Sequence, residues 1–378
     1  MSAYFDWAAT TRPNPEILEL ANKIAVSVYA NPSSVHSDGK KAAQTLEQAR
    51  TDCARILGTS PSTLYFTSGG TESDYVPLLA LLQRPVRGSV AISAIEHPAI
   101  AEQAKMLSHT GWETLVIPAD RDGFVSPEAV LSTIREDTAY VAVMAVNNET
   151  GAIQPVEQIA EALVQSCKGR KKPHFHVDAV QAIGKIPVSF TSTGIDSGAI
   201  SGHKIGGPRG IGLLYLARRI EPFIRGGGQE SGIRPGTENV PGAVALAAAL
   251  DAAICGLDID HGMKMMDMII ERLGSLGGFT TIPESRTLSD SRFSPWIIQL
   301  SNSSIPGEVL VRSLSAYDIS ISTGSACSSR KKSRPVLDAM RVPKNIQQNA
   351  FRLSIGPTTD ESDIEQLYHA LKEICRRL

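Results

Sequence analysis

Two short, largely apolar runs that each end in polar residues decide the fold class of this chain. They read His174-Phe175-His176-Val177-Asp178-Ala179-Val180-Gln181 and Ser197-Gly198-Ala199-Ile200-Ser201-Gly202-His203-Lys204. Runs of this length and composition are typical of strands buried in a parallel sheet. Ligands of such sheets bind at the carboxyl ends of the strands, so the residues that follow these two runs are predicted to lie at a ligand site.

Similar runs recur from about residue 16 to residue 250 and alternate with helical patterns. The predicted strands are 63–67, 89–93, 113–117, 139–146, 174–177, 197–201 and 211–216. The predicted helices between them include 37–57, 72–82 and 156–167. This alternation predicts a large α/β domain with a mostly parallel, seven-stranded sheet that helices cover on both faces.

The pattern changes after about residue 250 and predicts a smaller α+β domain. It predicts a helix at 263–273, a strand at 296–300, a helix at 307–316, strands that end at 322 and 355, and a C-terminal helix. Thr359 is the expected N-cap of that helix. A chain of 378 residues exceeds the usual size of one hydrophobic core. We therefore predict a large domain at 16–250 and a small domain at 251–378 that also includes residues 1–15.

Composition and charge argue against several classes of protein. The chain is 42% hydrophobic and 20% charged, and its net charge of −2 favours neither nucleic acid nor an anionic membrane. No apolar run is long enough to cross a bilayer, and the first residues lack the features of a signal peptide. The five cysteines are scattered and form no C-x-x-C motif. We expect a cytoplasmic protein without a metal, without membrane contact and without direct binding to nucleic acid.

A third segment, Phe66-Thr67-Ser68-Gly69-Gly70-Thr71-Glu72, joins a predicted strand to a predicted helix. The N–H groups and the dipole at a helix N-terminus favour a phosphate group. Gly-Gly-Thr is also common in ordinary loops, so this segment by itself leaves both interpretations open.

Asp178 and Lys204 each allow two interpretations. A carboxylate at the end of a buried strand must be paired, and Asp178 could cap the next helix or pair with the cationic ring nitrogen of pyridoxal phosphate. Lys204 could be an ordinary surface lysine, or a desolvated lysine of the crevice whose amine forms a Schiff base. Their position on successive strand ends, after a phosphate-type loop, favours the interpretation as a pyridoxal-phosphate site.

Several motifs that occur in one order make this chain resemble the cysteine desulfurases, a class V group of fold type I pyridoxal-phosphate enzymes. They are Asp6-Trp7-Ala8-Ala9-Thr10-Thr11, Asn31-Pro32-Ser33-Ser34, Thr67-Ser68-Gly69, Glu96-His97, Val146-Asn147-Asn148-Glu149, the Asp178 and Lys204 segments, Arg234-Pro235-Gly236-Thr237-Glu238-Asn239 and Ser322-Thr323-Gly324-Ser325-Ala326-Cys327. The resemblance covers nearly the whole chain. It implies fold type I, pyridoxal phosphate as cofactor, L-cysteine as substrate and a homodimer with shared active sites.

The resemblance also implies a role for each candidate residue around the cofactor. Lys204 would hold the cofactor and then move the Cα proton, Asp178 would pair with the ring nitrogen, and His97 would stack on the ring and act as an acid or base. The other contacts would come from Gln181 and Asn148 at the ring, from Gly70, Thr71, Ser201 and His203 at the phosphate, and from Thr237 of the partner subunit.

The resemblance assigns substrate and sulfur to two further residues. Arg352 would bind the substrate carboxylate, with Asn148 nearby; without the resemblance it could be an ordinary strand arginine. Cys327 would take the sulfur as a persulfide. The basic residues at 330–334 favour its thiolate, although a solvated basic turn is equally compatible with them. The sulfur would pass to an acceptor, for iron–sulfur cluster assembly, tRNA thiolation or thiamin.

Four residues depart from the family pattern, which usually has asparagine at Trp7 and Tyr75 and arginine at Ser231 and Pro357. Housekeeping members also carry a tail that engages the iron–sulfur scaffold protein, and this chain stops at Leu378, so binding of a scaffold by that route stays open. The alternatives are a selenocysteine lyase, a class V aminotransferase, and a non-catalytic regulatory protein on the same fold.

Overall fold

The structure, a computed structural model, describes residues 3–169, 171–324 and 334–377. The strands are β1 (Ala3–Tyr4), β2 (Leu64–Thr67), β3 (Ser89–Ser93), β4 (Glu113–Ile117), β5 (Thr138–Ala142), β6 (His174–Asp178), β7 (Ser197–Ser201), β8 (Gly212–Leu216), β9 (Phe279–Ile282), β10 (Ile297–Asn302), β11 (Ile319–Ser320) and β12 (Ala350–Ser354). The helices are α1 (Pro15–Ser27), α2 (Ser37–Ile56), α3 (Gly70–Leu79), α4 (Pro98–Ser108), α5 (Pro127–Thr133), α6 (Val156–Ser166), α7 (Val240–Cys255), α8 (Ile259–Leu276), α9 (Gly307–Ser315), α10 (Pro335–Ala339), α11 (Lys344–Asn349) and α12 (Glu361–Arg377).

The predicted seven-stranded, mostly parallel sheet is confirmed. Its strand order is β2-β8-β7-β6-β5-β3-β4. Strand β8 runs antiparallel to β2 and β7, and the remaining pairs are parallel. Strands β2, β3, β5, β6 and β7 therefore end at the same edge of the sheet, and this edge collects the residues that follow them.

The sheet is buried on both faces, which explains why its strands are apolar runs. In β3, Val90 and Ile92 pack in one cluster with Ile100 and Leu107 of α4. Ala91, which lies between them, belongs to the large core cluster instead. Successive side chains of a strand point to opposite faces, so both faces of β3 are covered.

The C-terminal part contains a second, antiparallel sheet in the order β12-β10-β9. Helices α8 and α9 pack on its strands, and α12 packs on both of these helices. Strand β1 pairs in parallel with β11, so the start of the described chain lies against this part of the molecule. The domain boundaries at residues 15 and 250 stay a prediction.

Asn239 is the N-cap of helix α7, and its Oδ1 accepts a hydrogen bond from the Gly242 N–H at 3.0 Å. It is largely apolar and packs on α1 and α2. Within the described ranges no single helix is long and apolar enough to span a membrane; α7 and α8 meet that criterion only as a pair, with a 73° bend between them.

The strand predicted at 139–146 is shorter in the structure, where β5 ends at Ala142. The chain nevertheless continues beside β6. The Val143 N–H donates to the His176 carbonyl at 3.2 Å and the Ala145 N–H donates to the Asp178 carbonyl at 2.8 Å. Val146 then pairs with Ile153 in an isolated bridge, and the turn between them carries Asn148. The apolar run thus places this turn beside Asp178.

The predicted N-cap of α12 is wrong. The Thr359 hydroxyl accepts from the Gly356 N–H at 3.0 Å and does not reach the helix. Asp360 directly precedes α12, and its Oδ1 accepts from the Asp363 N–H at 3.0 Å. A carboxylate also suits the positive end of the helix dipole, which a threonine hydroxyl does not match.

Candidate active site

A cavity of about 240 Å³ lies where the carboxyl ends of the parallel strands meet. Ten of the residues singled out in the sequence line it together: Gly70, Thr71, His97, Asn148, Asp178, Gln181, Ser201, His203, Lys204 and Arg352. They come from widely separated parts of the chain, so the fold itself assembles this cavity.

One side of the cavity suits an anion. Helix α3 starts at Gly70, and the first N–H groups of a helix have no partner within it. A Cβ at Gly70 would lie 2.7 Å from Val180 Cγ2, so the close approach of α3 to the turn after β6 requires glycine. Thr71, in the first turn of α3, and Ser201, at the end of β7, add hydroxyl groups to the same cavity.

His203 lies on the same side of the cavity, and its imidazole ring is neutral. Its Nδ1 lies 3.1 Å from Thr10 Oγ1. Burial, with smaller contributions from the charges of Lys204 and Arg209, lowers the pKa of His203 to about 4. The ring therefore hydrogen-bonds near neutral pH without adding a positive charge.

Asp178 is a buried carboxylate that faces the cavity from the end of β6. Its Oδ1 accepts from the Val180 N–H at 2.9 Å. Burial raises the pKa of Asp178, while nearby His97, this hydrogen bond and Lys204 lower it. The chain that follows is a turn rather than a helix, so the capping interpretation does not hold. A buried carboxylate is best stabilised by a cation, and a protonated ring nitrogen would supply one.

The side chains of Lys204 and Gln181 both donate hydrogen bonds to backbone carbonyls of the N-terminal segment. Lys204 Nζ donates to the carbonyl oxygens of Ala8 and Ala9, to the latter at 2.9 Å. Gln181 Nε2 donates to the same Ala8 carbonyl at 2.9 Å, and Lys185 Nζ donates to Gln181 Oε1. These bonds hold the Lys204 amine at the cavity wall, where it can reach a carbonyl group of a ligand.

His97 has its tautomer fixed by a helix cap. It is the N-cap of α4, and its Nδ1 accepts from the Ala99 N–H at 3.2 Å. Burial lowers the pKa of His97; Lys204 adds to this effect and Asp178 opposes it. The neutral ring therefore carries its proton on Nε2 and can donate from that atom.

Arg352 lies in β12 and is only 1% exposed. Its Nη1 donates to the Asn148 carbonyl at 2.8 Å, and its Nη2 donates to Asp6 Oδ1 at 2.8 Å. Its Nε is buried and has no hydrogen-bond partner among the described residues. Arg352 also lines the cavity, and a guanidinium at a cavity wall fits the carboxylate of a ligand.

The two remaining predicted site residues are Thr237 and Cys327. Thr237 is exposed and does not line the cavity. Cys327 lies outside the described residues, as do the basic residues from 330 to 333. The described chain before that gap includes Ser322, which pairs with Arg352, and it resumes at Arg334.

Sequence reasoning missed several residues of the site. Asp74 lines the cavity, and its position four residues after Gly70 on the same helix face was the available signal. Asp6, the ion-pair partner of Arg352, lies in a quoted motif but was given no role. The Ala8 and Ala9 carbonyls act through the backbone, which side-chain motifs do not reveal.

None of the four departures from the family pattern lines the cavity, although Trp7 and Tyr75 directly adjoin the lining residues Ala8 and Asp74 in sequence. Trp7 is buried against Gly356, where a Cβ would lie 2.3 Å from its ring. Ser231 has a left-handed backbone, with φ of 54°, and Pro357 is exposed.

Comparison with known proteins agrees with this geometry. Residues 3–367 match the model of the aminotransferase class-V family. A cysteine desulfurase IscS of Dictyoglomus turgidum is 33% identical over 99% of this chain and 95% of its own length. A NifS/IcsS protein homolog of Lactobacillus delbrueckii subsp. bulgaricus is 36% identical over 98% and 96%. The solved structure of a NifS-like protein superimposes with a TM-score of 0.90, at 36% identity and 100% coverage of both chains.

The match to the family model and the sheet order define the class, that of the class V enzymes with fold type I. Within this class the chain belongs to the cysteine desulfurase family.

Proposed function

We propose that this protein is a cysteine desulfurase that takes sulfur from L-cysteine, releases L-alanine and carries the sulfur as a persulfide on Cys327. The observation that carries the proposal is the cavity in which Lys204, Asp178, His97 and Arg352 lie together. An amine, a buried carboxylate, a neutral imidazole and a guanidinium are the groups that this reaction needs.

The family implies pyridoxal phosphate, and the residues present fit this group. The start of α3, with Thr71, Ser201 and His203, would hold the phosphate. Asp178 would accept a hydrogen bond from the protonated ring nitrogen, and Gln181 and Asn148 would hydrogen-bond the ring oxygen. When bound, the cofactor withdraws electrons from the Cα of the amino acid attached to it.

The chain's own residues then orient the substrate and move protons. Arg352 would bind the substrate carboxylate, while Asp6 and the Asn148 carbonyl fix the plane of the guanidinium. The Lys204 amine would take the Cα proton. His97 would stack on the ring, and it can donate from Nε2 because its Nδ1 caps α4.

Sulfur leaves through Cys327. Its thiolate attacks the substrate's sulfur, an S–S bond forms, and the substrate's Cβ–S bond breaks. The electron pair of the broken bond goes to the carbon fragment, which takes up a proton and leaves as L-alanine. The persulfide passes its outer sulfur to an acceptor or scaffold protein, for iron–sulfur cluster assembly or tRNA thiolation, in the cytoplasm.

The partner subunit completes the site in this proposal. Thr237 is exposed in its own chain, and Phe223 and Ile224, which line a pocket with Arg234 and Pro235, are 49% and 51% exposed. Exposed apolar side chains in one segment support a subunit interface there. Thr237 would then contact the phosphate held by the other chain of a homodimer.

The test replaces Cys327 and measures L-alanine. Cys327→Ala should bind the cofactor with unchanged affinity, but its formation of L-alanine from L-cysteine should fall by at least about a thousandfold, since only the nucleophile is lost. Cys255→Ala is the matched control, because Cys255 is exposed on α7 and far along the chain from the site. Undiminished alanine formation by Cys327→Ala would favour a selenocysteine lyase or an aminotransferase instead. A wild-type chain that takes up the cofactor and still leaves cysteine unchanged would point to the regulatory alternative.

A further inference from the structure

A chain of buried hydrogen bonds leads from the cavity into the sheet and has no part in the reaction proposed above. Asp74 Oδ1 lies 3.1 Å from His176 Nε2. His176 Nδ1 lies 2.7 Å from Ser197 Oγ, and His174 Nε2 lies 2.7 Å from the same oxygen. Asp74 lines the cavity, and the side chains of Asp74 and His176 are 2% and 0% exposed.

The protons shared in this series of hydrogen bonds can be assigned from the donors and acceptors available. Ser197 has one hydroxyl proton and two histidine partners, so it donates to one ring and accepts from the other. With both histidines neutral, two directions are consistent. In the first, a protonated Asp74 donates to His176 Nε2, His176 Nδ1 donates to Ser197, and Ser197 donates to His174. In the second, every bond is reversed and Asp74 is an ionised carboxylate.

The surroundings of Asp74 favour the first direction. Burial raises the pKa of Asp74 well above its usual value, and the charge of Asp178 raises it further. Burial lowers the pKa of His176 to about 3, so this ring does not supply a positive charge. The Tyr140 hydroxyl is also neutral, because burial raises its pKa well above the usual value and an ionised Asp74 would add to this effect.

The rings that form the chain are held in place by stacking. Tyr140 lies parallel to His174, with ring centroids 5.4 Å apart and a 4° angle between the planes. It also stacks on His176 at 6.0 Å and 22°. The fixed rings keep their nitrogen atoms directed at Ser197 and Asp74. This series of hydrogen bonds therefore positions the carboxyl group of Asp74.

We propose that Asp74 is a positioning residue of the cavity, a neutral carboxylic acid that donates to His176 and leaves Asp178 as the charged carboxylate beside it. The proposal rests on the proposed function, since the charge of Asp178 matters there as the partner of the cofactor's ring nitrogen. An ionised Asp74 would repel the charge of Asp178 and favour a protonated Asp178, which accepts the ring N–H poorly.

The protonation state can be measured without the cofactor. Infrared difference spectra of the full-length, cofactor-free protein at neutral pH would compare the wild type with Asp74→Asn. The wild type should show the C=O stretch of a protonated carboxylic acid that Asp74→Asn lacks and that shifts in heavy water. The variant Glu96→Gln removes the band of the neighbouring carboxylic acid, Glu96, so that this band can be told apart from that of Asp74. Loss of carboxylate bands alone in Asp74→Asn would overturn the proposal.

The positioning role is measured by the affinity for pyridoxal phosphate, from absorbance titrations. His176→Phe removes the acceptor of Asp74 and should weaken binding about tenfold, because a buried donor is left unsatisfied. His176→Gln keeps an accepting oxygen and should restore most of the affinity. The pH at which the absorbance of the bound cofactor changes should move in His176→Phe and return in His176→Gln, an effect that a purely structural role would not produce.

Ser197→Ala provides a smaller lesion for the case that His176→Phe does not fold, as judged by circular dichroism. It cuts the chain one bond further from Asp74 and should weaken cofactor binding less than His176→Phe. Unchanged affinity and an unchanged pH midpoint in all folded variants would disprove the positioning role. A wild type that binds no pyridoxal phosphate would instead contradict the proposed function, and the infrared result would still decide the state of Asp74.

Discussion

Glu96 illustrates how burial sets the charge of a single side chain next to the cavity. Its Oε1 accepts from Ser93 Oγ and from the Met144 N–H, each at 2.7 Å. Burial nevertheless raises the pKa of Glu96 to about 8, because these two bonds compensate only part of the lost hydration. The same effect acts on Asp74 and Asp178, so the charge of this region is decided by which carboxyl group is best stabilised.

A pH-dependent stability follows for Glu96. The folded state binds the Glu96 proton more tightly than the unfolded chain, so the free energy of unfolding falls as the pH rises from the normal glutamate value to the folded value of about 8. Between about pH 5 and pH 8 the wild type should lose ~3 kcal/mol relative to Glu96→Gln. Urea unfolding of the cofactor-free proteins at several pH values measures this difference. Parallel pH profiles for the two proteins would show that Glu96 is ionised in the fold.

The sequence was sufficient to predict the positions of site residues that directly follow apolar strands. Asp178 and Lys204 could be placed because the strands that precede them are short and apolar, and the shared edge of the sheet then brings them together. Asp74 could not be assigned in this way, because its protonation depends on carboxyl groups from two other segments. The pairing of Asp6 with Arg352 joins residues at opposite ends of the chain, and no local pattern announces it.

Among the secondary-structure elements, the link between α2 and the turn at Glu230–Gly232 shows what packing adds. Arg50 of α2 forms two bonds with Glu230, Nη1 to Oε2 at 2.7 Å and Nη2 to Oε1 at 2.9 Å. Glu230 Oε2 also accepts from the Phe66 N–H of β2 at 2.7 Å. One buried carboxylate thus joins a helix, a strand and the turn that leads to the Thr237 segment.

Removal of this carboxylate should be costly. Glu230→Ala would leave the buried Arg50 without its main partner, so we expect the free energy of unfolding to fall by about 3–5 kcal/mol. The control is Glu308→Ala, which breaks an exposed pair with Arg312 at 3.8 Å and should cost less than about 1 kcal/mol. Denaturant unfolding gives both values. An equal, small loss in the two variants would show that the Arg50 pair does not hold these elements together.

The sequence predicted these elements unequally, for physical reasons. The strands of the large sheet were located closely because burial on both faces makes them continuous apolar runs. The end of β5 was misplaced because Val143–Val146 stays buried and hydrogen-bonded to β6 after the regular ladder stops. The cap of α12 was misplaced because Thr359 and Asp360 are both good capping residues, and the competing bond from Gly356 decides between them.

At the scale of the whole molecule, Thr237 is a predicted contributor to the cavity that does not line it within its own chain. Ten predicted residues line the cavity, and Thr237 is exposed elsewhere. Arg234 of the same segment pairs with Glu72 at 3.1 Å, which ties the segment to the first turn of α3. Quaternary structure depends on surfaces from distant parts of the sequence, so a single chain offers little signal for it beyond the resemblance.

A two-fold dimer with shared active sites predicts a specific result when two different variants are combined in one dimer. Chains with Lys204→Ala would be combined with chains that carry Thr237→Asp, whose added charge repels a phosphate. In the mixed dimer one site collects both lesions, while the other has Lys204 from its own chain and Thr237 from its neighbour. Alanine formation should therefore recover to about half the wild-type rate per dimer, although each parent dimer is nearly inactive. Two affinity tags and native mass spectrometry would isolate and verify the mixed dimers.

The matched control for this assembly is Thr280→Asp, which adds the same charge to an exposed threonine of β9. Dimers of Thr280→Asp alone should be as active as the wild type, so a loss in Thr237→Asp reflects the position and not the charge. If Thr237 acted within its own chain, every site of the mixed dimer would carry one lesion and no activity would return. Verified mixed dimers that remain as inactive as their parents would therefore exclude the shared site, while recovery would assign Thr237 to the partner's phosphate.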